Sequence, residues 1–397
     1  MRSIFNNFWS RLKVCDGKSE RLIVTTLFRL CLLFLTLLGG LRAQGTSVVQ
    51  SIQTVFIVPM ENYNWASIKG SPYAPYINST LLTSGAHAEQ YYNPSTMHPS
   101  LPNYLWLEAG TNFGITADIL PSTGGQSTTN HLCSYLKAAG ISWRSYDEDI
   151  CGCDCPLSNT NLYVPRHNPI VYFYDTTNTN NATSATCSSN VVAYSRLAGD
   201  LQNNTVARFN WVVPNLCHDM HNSSGCGSTN KILNGDTWLA NNLPAIFNSR
   251  AYTNSGMVVI VWDEGAGTSD GPIGCIILSP LSKKNYSNTI HYTHSSLLRT
   301  FQNIFNVRPY LGDAANATDL SDLFLSSLPI TRATLSSYQF SGAQFQFNVT
   351  GTAGSNYVVQ GSSNLIDWVP ILTNPSPFAV VDTNSGPWSF YRGIAKP

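Results

Sequence analysis

Between Val48 and Pro329, short runs of consecutive apolar residues alternate with longer amphipathic or polar stretches. Three runs that end in polar residues predict strands: Val55–Pro59, Phe209–Val213 and Met257–Trp262. In VFIV and MVVIVW the apolar residues follow one another without polar alternation, so these strands are expected to be covered on both faces, as in a parallel sheet between helices. Three further stretches predict helices: Thr129–Ala139, Gly235–Asn248 and Thr293–Phe305. The predicted fold class is α/β.

After residue 329 the pattern changes. Short apolar runs separated by Gly, Asn, Ser and Pro predict strands: Gln344–Val349, Tyr357–Gln360, Trp368–Leu372, Phe378–Val381 and Ser389–Ile394. The run QFQFNV alternates with a period of two, which is typical of a sheet with one buried and one solvated face. Residues 331–397 are therefore predicted to form a separate small all-β module that resembles a sandwich.

The N-terminal segment has the order of features found in secretory signals. Several Lys and Arg residues precede the apolar run Leu30–Leu38, and small residues follow it. The run is far shorter than the roughly 20 residues that a membrane-spanning helix needs. We therefore predict a signal peptide at residues 1–43, no integral membrane span after its removal, a catalytic domain at residues 44–330, and a secreted, periplasmic or extracellular location.

Charge and cysteine content restrict the function further. Lys plus Arg and Asp plus Glu both total 22, which disfavours a nucleic-acid partner. Eight of the ten cysteines follow the predicted signal peptide, and an even number in an exported chain predicts disulfides. The alternating cysteines of CGCDC could also be read as a thiolate metal site, but their spacing is not that of structural zinc sites.

Polar side chains follow two of the predicted strands directly. Glu61 and Asn62 come after the first strand, and Asp263 and Glu264 come after MVVIVW. In open α/β sheets, ligands bind at the carboxyl ends of the strands. Hard oxygen ligands of this kind suit a divalent cation. The alternative is that Glu61 caps a helix and Asp263 is a solvated turn residue.

The segment HPSLPNY contains a candidate nucleophile. Ser100 lies between Pro99 and Pro102, which restrict the local backbone and remove two amide donors. A hydroxyl presented in this way can act as a nucleophile if a nearby metal lowers its pKa, and the amide of Asn103 can bind a substrate oxygen. Taken alone, such a sequence is more often just a turn.

The order of the motifs resembles a known family. ENYNW, HPSLPNY, RHNP, PNLCHDMH, VIVWDEG and YTHSSLLRT follow one another as in the phosphoesterase family of acid phosphatases and phosphatidylcholine-type phospholipases C. This family belongs to the alkaline phosphatase superfamily. The resemblance implies an alkaline-phosphatase-like α/β/α sandwich over the first domain and a phosphate-ester substrate.

The resemblance also implies roles for individual residues. Metal ligands would be Glu61, Asn62, Asp263 and Glu264, completed by Ser100, which would also be the nucleophile. Catalytic partners would be His167 and His221, with Asp219 orienting its neighbours. Substrate contacts would come from Asn103, by similarity to nucleotide pyrophosphatases, and from His294. The implied cofactor is a divalent metal ion, with Ca²⁺, Zn²⁺ and Mg²⁺ all compatible.

We therefore expect a metal-dependent, acid-phosphatase-like phosphomonoesterase with a serine nucleophile. Two alternatives stay open at this point. One is a phospholipase C-type phosphodiesterase. The other is a non-catalytic protein of the same fold, whose C-terminal module contacts a cell surface or a polysaccharide through aromatic residues such as Tyr357, Trp368 and Trp388.

Overall fold

A computed structural model of the chain describes residues 47–150, 154–328, 330–341, 344–383, 388 and 390–396. Within these ranges no helix is long and apolar enough to cross a membrane. The predicted signal peptide, residues 1–43, lies outside the described residues, and the boundary between the catalytic domain and the C-terminal module stays a prediction.

The strands that form the main sheets are β1 (Thr54–Met60), β2 (Ala86–Ala88), β3 (Tyr91–Tyr92), β4 (Trp143–Asp147), β5 (Val191–Ala193), β6 (Phe209–Val213), β7 (Gly256–Trp262), β8 (Cys275–Leu278), β9 (Tyr286–Asn288) and β10 (Tyr292–Thr293). Eight of them form one sheet in the order β5-β4-β6-β1-β7-β8-β2-β9. The run from β5 to β7 is parallel, whereas β8 is antiparallel to both β7 and β2. The predicted α/β class is confirmed, although the sheet is mixed at one edge.

The α-helices are α1 (Trp65–Ile68), α2 (Leu82–Ser84), α3 (Ser100–Ala109), α4 (Pro121–Gly124), α5 (Leu132–Ala138), α6 (Tyr174–Thr177), α7 (Ala185–Asn190), α8 (Arg196–Asn203), α9 (Lys231–Phe247), α10 (Arg250–Thr253) and α11 (His294–Phe305). Short 3₁₀ or π turns lie at Val48–Ser51, Ile77–Leu81, Pro165–His167, Pro169–Tyr172, Gly312–Ala315 and Ser321–Leu323. The three helices predicted from apolar spacing correspond to α5, α9 and α11. Helix α9 begins four residues before the predicted start, where the side chain of Asn230 accepts a hydrogen bond from the amide of Leu233.

Burial explains why the central strands carry continuous apolar runs. Every residue of β6 and β7 is buried, as is all of β1 after Thr54. These strands belong to one large apolar core, to which α9 and α11 also contribute. A strand covered on both faces has no solvated side on which polar residues could alternate.

The C-terminal residues form two three-stranded antiparallel sheets. The strands are β11 (Thr334–Ser341), β12 (Gln344–Thr350), β13 (Asn356–Ser362), β14 (Val369–Pro375), β15 (Phe378–Asp382) and β16 (Phe390–Ala395). Their order is β11-β12-β15 in one sheet and β14-β13-β16 in the other, around a small apolar cluster of their own. The predicted all-β character is confirmed, and β11 is a strand that the sequence pattern did not indicate.

The cysteines only partly follow the prediction. Cys155 is bonded to Cys187, and Cys217 to Cys226. Cys133 and Cys275 are free and buried, because they lie in the apolar core on α5 and β8. Cys151 and Cys153 lie outside the described residues.

A buried histidine links three of these elements. His131, at the start of α5, lies 3.0 Å from Glu108 of α3 and 2.9 Å from Asp175 of α6. Its ring also stacks on Phe173, with 3.8 Å between the ring centroids. Burial alone would lower the pKa of His131, but hydrogen bonds to Asp175 and Glu108 outweigh burial and raise the pKa above its ordinary value of 6.5.

We predict that His131→Gln lowers the free energy of unfolding by about 3 kcal/mol at pH 5.5, because a buried charge partner is lost. Since the pKa of His131 is higher in the folded protein than in the unfolded chain, its contribution is complete below the unfolded pKa and is lost as pH rises through the folded pKa. The effect should therefore be smaller at pH 9. Urea unfolding at the two pH values measures it.

The matched control is His291→Gln, at an exposed histidine that no carboxylate contacts among the described residues. Its effect should be within about 0.5 kcal/mol at both pH values. An equal loss for His131→Gln at pH 5.5 and pH 9 would contradict a charged His131.

Candidate active site

The register of β1 with β7 brings the polar strand ends together. Met60 pairs with Trp262 in this parallel ladder, so Glu61 and Asp263 are the next residues on adjacent strands. The amide of Asn62 donates to Asp263 Oδ1 at 2.9 Å, and its side-chain Nδ2 donates to Glu264 Oε1 at 2.9 Å. The four residues predicted from the strand ends therefore lie in one cluster.

The backbone turns sharply at this point. Asn62 has a φ of 35°, in the left-handed region that non-glycine residues rarely adopt. Strain of this kind is retained only where surrounding contacts determine it, and it is frequent at functional sites. Here the two hydrogen bonds from Asn62 to the other strand end hold the conformation.

Helix α3 delivers the candidate nucleophile. Ser100 is the first residue of this helix, and Pro99 is its N-cap. The sequence around Ser100 is therefore a helix start and not a simple turn. The Ser100 hydroxyl is buried and donates to Glu61 Oε2 at 2.9 Å. One helical turn later, the Tyr104 hydroxyl donates to Glu61 Oε1 at 2.7 Å.

Asn103 lies on the same helix and joins the other side of the cluster. Its Nδ2 is 3.2 Å from Glu264 Oε2 and 2.9 Å from the carbonyl oxygen of Met97. Its Oδ1 is buried and has no hydrogen-bond partner among the described residues. The predicted substrate-binding amide thus lies at the carboxylate cluster, next to the candidate nucleophile.

Two histidines and Asp219 form the opposite wall. His167 Nδ1 is 3.1 Å from Asp219 Oδ2, and His167 Nε2 is 3.2 Å from Glu61 Oε1. Asp219 Oδ1 accepts the amide hydrogen of His221, whose ring centroid lies 6.1 Å from that of His167. The Nδ1 of His221 contacts the carbonyl oxygen of Asn222, and its Nε2 has no partner among the described residues.

Burial controls the protonation of this wall. It lowers the pKa of His167 to about 4 and raises the pKa of Asp219 to about 7. His167 is therefore neutral near pH 6, so its contact with Asp219 is a hydrogen bond and not an ion pair. The ring also stacks on Tyr104 at 5.2 Å, which fixes its orientation.

His294 lies behind the cluster. It is fully buried at the start of α11, and burial lowers its pKa to about 4. Its Nε2 is 2.6 Å from the carbonyl oxygen of Asp263, and its Nδ1 is 3.1 Å from the Tyr91 hydroxyl. Both ring nitrogens thus have protein partners, and the contact holds the backbone of Asp263 in place.

Burial and nearby carboxylates destabilise the charged forms of Asp263 and Glu264. Burial, together with the charges of Glu61 and Glu264, raises the pKa of Asp263 well above its ordinary value. Burial and the charges of Glu61 and Asp118 raise the pKa of Glu264 to about 8. Asp263 Oδ2 is buried with no hydrogen-bond partner in the described part of the chain.

These observations bear on whether a cation fits here. Crowded carboxylates and an unpartnered buried oxygen are the donor chemistry that a divalent cation satisfies. In the described residues, no group of three or more His, Cys, Asp or Glu side chains has the arrangement of a metal site. The donor types therefore suit a cation, although the side chains are bonded to one another instead of converging on one point.

Several contact residues were not part of the predicted site. Tyr104 bonds Glu61, and His98 Nδ1 is 2.7 Å from Glu264 Oε2. Arg166 lies 3.2 Å from Asp118, which accepts the amide hydrogen of Leu101 in α3. Tyr104 could have been found from its position one helical turn after Ser100, whereas Asp118 lies in a loop without a sequence signal.

Comparison with known proteins agrees with the motifs. The model of the phosphoesterase family matches residues 71–308, which is more than half of the chain. Phosphatidylinositol-3-phosphatase from Mycobacterium tuberculosis is 31% identical over 281 residues, covering 70% of this chain and 85% of the relative. The phosphate-repressible acid phosphatase from Penicillium chrysogenum is 27% identical over 192 residues, covering 47% of this chain and 43% of the relative.

A solved structure from Vibrio parahaemolyticus, described as a protein in the alkaline phosphatase superfamily, aligns with a TM-score of 0.46 and 12% identity over 82% of this chain and 83% of that one. A similarity this low supports no inference about the site. The family match and the mycobacterial relative, in contrast, cover most of the first domain and confirm the predicted family. This chain belongs to the phosphoesterase family and is a hydrolase acting on phosphoric ester bonds.

Proposed function

We propose that the protein is a secreted, metal-dependent phosphomonoesterase with Ser100 as its nucleophile. The observation that carries this proposal is the position of the Ser100 hydroxyl, buried and 2.9 Å from Glu61 within the carboxylate cluster. A serine that only starts a helix does not need carboxylates beside it. A nucleophilic serine does, because a cation held by these carboxylates would lower the pKa of its hydroxyl.

The residues that would hold the cation are Glu61, Asn62, Asp263 and Glu264, together with the Ser100 oxygen. A divalent ion bound there would lower the pKa of the serine hydroxyl and neutralise charge on the phosphoryl oxygens. Glu61 and Asp263 present carboxylate oxygens from adjacent strands, and Asn62 holds the two strand ends in place. Titration with individual divalent ions identifies the metal.

Hydrolysis then takes two steps. The Ser100 hydroxyl passes its proton to Glu61 Oε2, to which it is hydrogen-bonded. The Ser100 oxygen bonds to phosphorus as the bond between phosphorus and the ester oxygen breaks, and the departing alcohol takes a proton from the histidine wall. We assign this proton to His221 Nε2, because the carbonyl oxygen of Asn222 holds the ring through Nδ1, while Nε2 has no protein partner in the described residues.

Water next attacks the phosphoserine and gives a proton to His221, while the Ser100 oxygen leaves phosphorus and takes its proton back from Glu61, which releases inorganic phosphate. Asn103 Nδ2 donates to a phosphoryl oxygen throughout, in place of its hydrogen bond to Glu264 Oε2.

A monoester substrate is supported over a diester by the relatives. The mycobacterial relative is named phosphatidylinositol-3-phosphatase, and two fungal relatives are named acid phosphatases. The two disulfides support an oxidising, extracytoplasmic compartment.

We predict that Ser100→Ala lowers kcat for p-nitrophenyl phosphate by about a thousandfold or more, because the covalent route is lost. Acid quenching of the wild type during turnover should trap phosphate on the peptide that contains Ser100, detected by mass spectrometry. Ser189→Ala, at an exposed serine of α7, is the control and should keep full activity. Wild-type turnover by Ser100→Ala would exclude the covalent mechanism.

Metal dependence can be tested through stability. In the metal-free protein the raised pKa of Asp263 means that this carboxyl destabilises the fold increasingly as pH rises above its unfolded pKa. Asp263→Asn should therefore raise the free energy of unfolding by about 1–3 kcal/mol at pH 8 in chelator. Added Zn²⁺, Mn²⁺, Mg²⁺ or Ca²⁺ should raise the melting temperature of the wild type more than that of the variant, as measured by calorimetry.

Asp367→Asn, at an exposed aspartate of the C-terminal module, is the control for this experiment and should change neither quantity. If no divalent ion stabilises the wild type and chelator leaves its activity intact, the cluster is not a metal site.

The class of ester is decided by direct comparison of substrates. We expect kcat/KM for p-nitrophenyl phosphate to exceed that for p-nitrophenylphosphorylcholine by at least about tenfold, because two of the relatives are named acid phosphatases. The reverse preference would make the protein a phospholipase C-type phosphodiesterase. Turnover of neither ester with any metal would support a non-catalytic binding protein.

A further inference from the structure

A closed cycle of six residues surrounds the Ser100 hydroxyl, and each contacts or adjoins the next: Ser100, Glu61, His167, Arg166, Asp118 and Leu101. Its inner half is the buried site described above. The Ser100 hydroxyl donates to Glu61 Oε2 at 2.9 Å, and Glu61 Oε1 lies 3.2 Å from His167 Nε2. These three residues are at most 3% exposed, so solvent does not reach Ser100 from their side.

The outer half of the cycle contains a charge pair. Arg166 directly precedes His167 in a 3₁₀ turn, and its Nε lies 3.2 Å from Asp118 Oδ2. Asp118 Oδ1 accepts the amide hydrogen of Leu101 at 3.0 Å, in the first turn of α3. The side chains of Arg166 and Asp118 are 20% and 32% exposed. The pair therefore forms the solvent-facing side of the cycle, and an ester enters from solvent.

The Arg166 guanidinium has unused donors. An arginine carries five N–H groups in a planar fork. The one polar contact of this side chain among the described residues is the ion pair between Nε and Asp118. Even this Nε is buried without a hydrogen bond in the described part of the chain. A buried N–H group without an acceptor is costly, so the guanidinium lacks a partner that a ligand oxygen would supply.

The charge of Arg166 reaches the site. Burial is the largest influence on the pKa of His167 and of Asp219, and the positive charge of Arg166 lowers both pKa values. The other lysine and arginine ion pairs within the described ranges involve acids that bond to no site residue: Glu89, Asp154, Asp200 and Asp322. Arg166 thus adds a positive charge beside the carboxylates and the neutral His167.

We infer that Arg166 binds a non-bridging oxygen of the substrate's phosphoryl group and thereby selects monoesters over diesters. A phosphate monoester has three non-bridging oxygens, and a diester has two. Binding at Arg166 rests on the proposed function, in which Asn103 takes one oxygen and the cation another. The third oxygen of a monoester is left for the guanidinium, which suits phosphoryl groups because its N–H groups form parallel hydrogen bonds. A diester carries an ester group in place of this oxygen.

The test uses two substitutions of Arg166. Arg166→Met removes the charge and the donors but keeps an unbranched side chain, and Arg166→Lys keeps the charge without the planar fork. Arg196→Met is the matched control, because Arg196 is 55% exposed and pairs with Asp154 at 2.8 Å, outside the cycle. Circular dichroism and melting temperature show whether each variant is folded. If Arg166→Met does not fold, Arg166→Lys decides, since its ammonium group can still pair with Asp118.

The first readout compares two esters with the same leaving group, p-nitrophenyl phosphate and methyl p-nitrophenyl phosphate. In Arg166→Met, kcat/KM for the monoester should fall by about tenfold to a hundredfold, as expected for a lost hydrogen bond to a charged group. For the diester it should change by less than about threefold. Arg166→Lys should lie between Arg166→Met and the wild type, and Arg196→Met should match the wild type. Equal losses for both esters would mean a merely structural arginine and would overturn the inference.

The second readout is independent of catalysis. Radioactive inorganic phosphate, in equilibrium dialysis against the full chain with each divalent ion in turn, should bind wild type and Arg196→Met. The Kd should rise at least about tenfold in Arg166→Met. If Ser100→Ala keeps turnover while phosphate binding depends on Arg166, the proposed nucleophile is wrong and the role of Arg166 holds. If Ser100 is the nucleophile but Arg166→Met binds phosphate as the wild type does, the role of Arg166 alone fails. A wild type that does not bind phosphate also overturns it.

Discussion

The parallel register of β1 with β7 is the constraint on which the site depends. It places Glu61 opposite Asp263, so two buried carboxylates meet where apolar strands end, and Glu264 adds a third. Like charges in a buried place raise the free energy of the folded chain. The donors that surround them offset part of this cost, and they come from separate elements that must all be in place.

These donors come from elements on two sides of the carboxylate cluster. Helix α3 directs Ser100, Asn103 and Tyr104 at the cluster from one side. The short turns at residues 165–172 and the segment after β6 bring His167 and Asp219 from the other side. Each contact is made by a side chain on a fixed element, which is how a scaffold holds catalytic geometry to within a fraction of an ångström.

The site is therefore built at the expense of stability. Buried acids, a left-handed Asn62 and an unpartnered Asp263 oxygen all destabilise the fold, and the large continuous core beneath them compensates. The same sheet edge extends from β1 past β6 to β4. The acid that follows β4 is Glu148, which contacts the rings of His218 and Trp238 and, among the described residues, no carboxylate of the cluster.

Much of this was determined by the sequence alone. Continuous apolar runs reveal strands covered on both faces, and a polar residue directly after such a run must lie at the sheet edge, so Glu61, Asn62, Asp263 and Glu264 were identifiable. Local periodicity also located α5, α9 and α11. What only the tertiary structure decided is which strand ends are neighbours, because pairing partners are far apart in the chain: β1 lies next to β7 and β6. The same reason hid the contacts of Tyr104, His98 and Arg166 and the free state of Cys133 and Cys275, since each depends on groups that only long-range packing brings together.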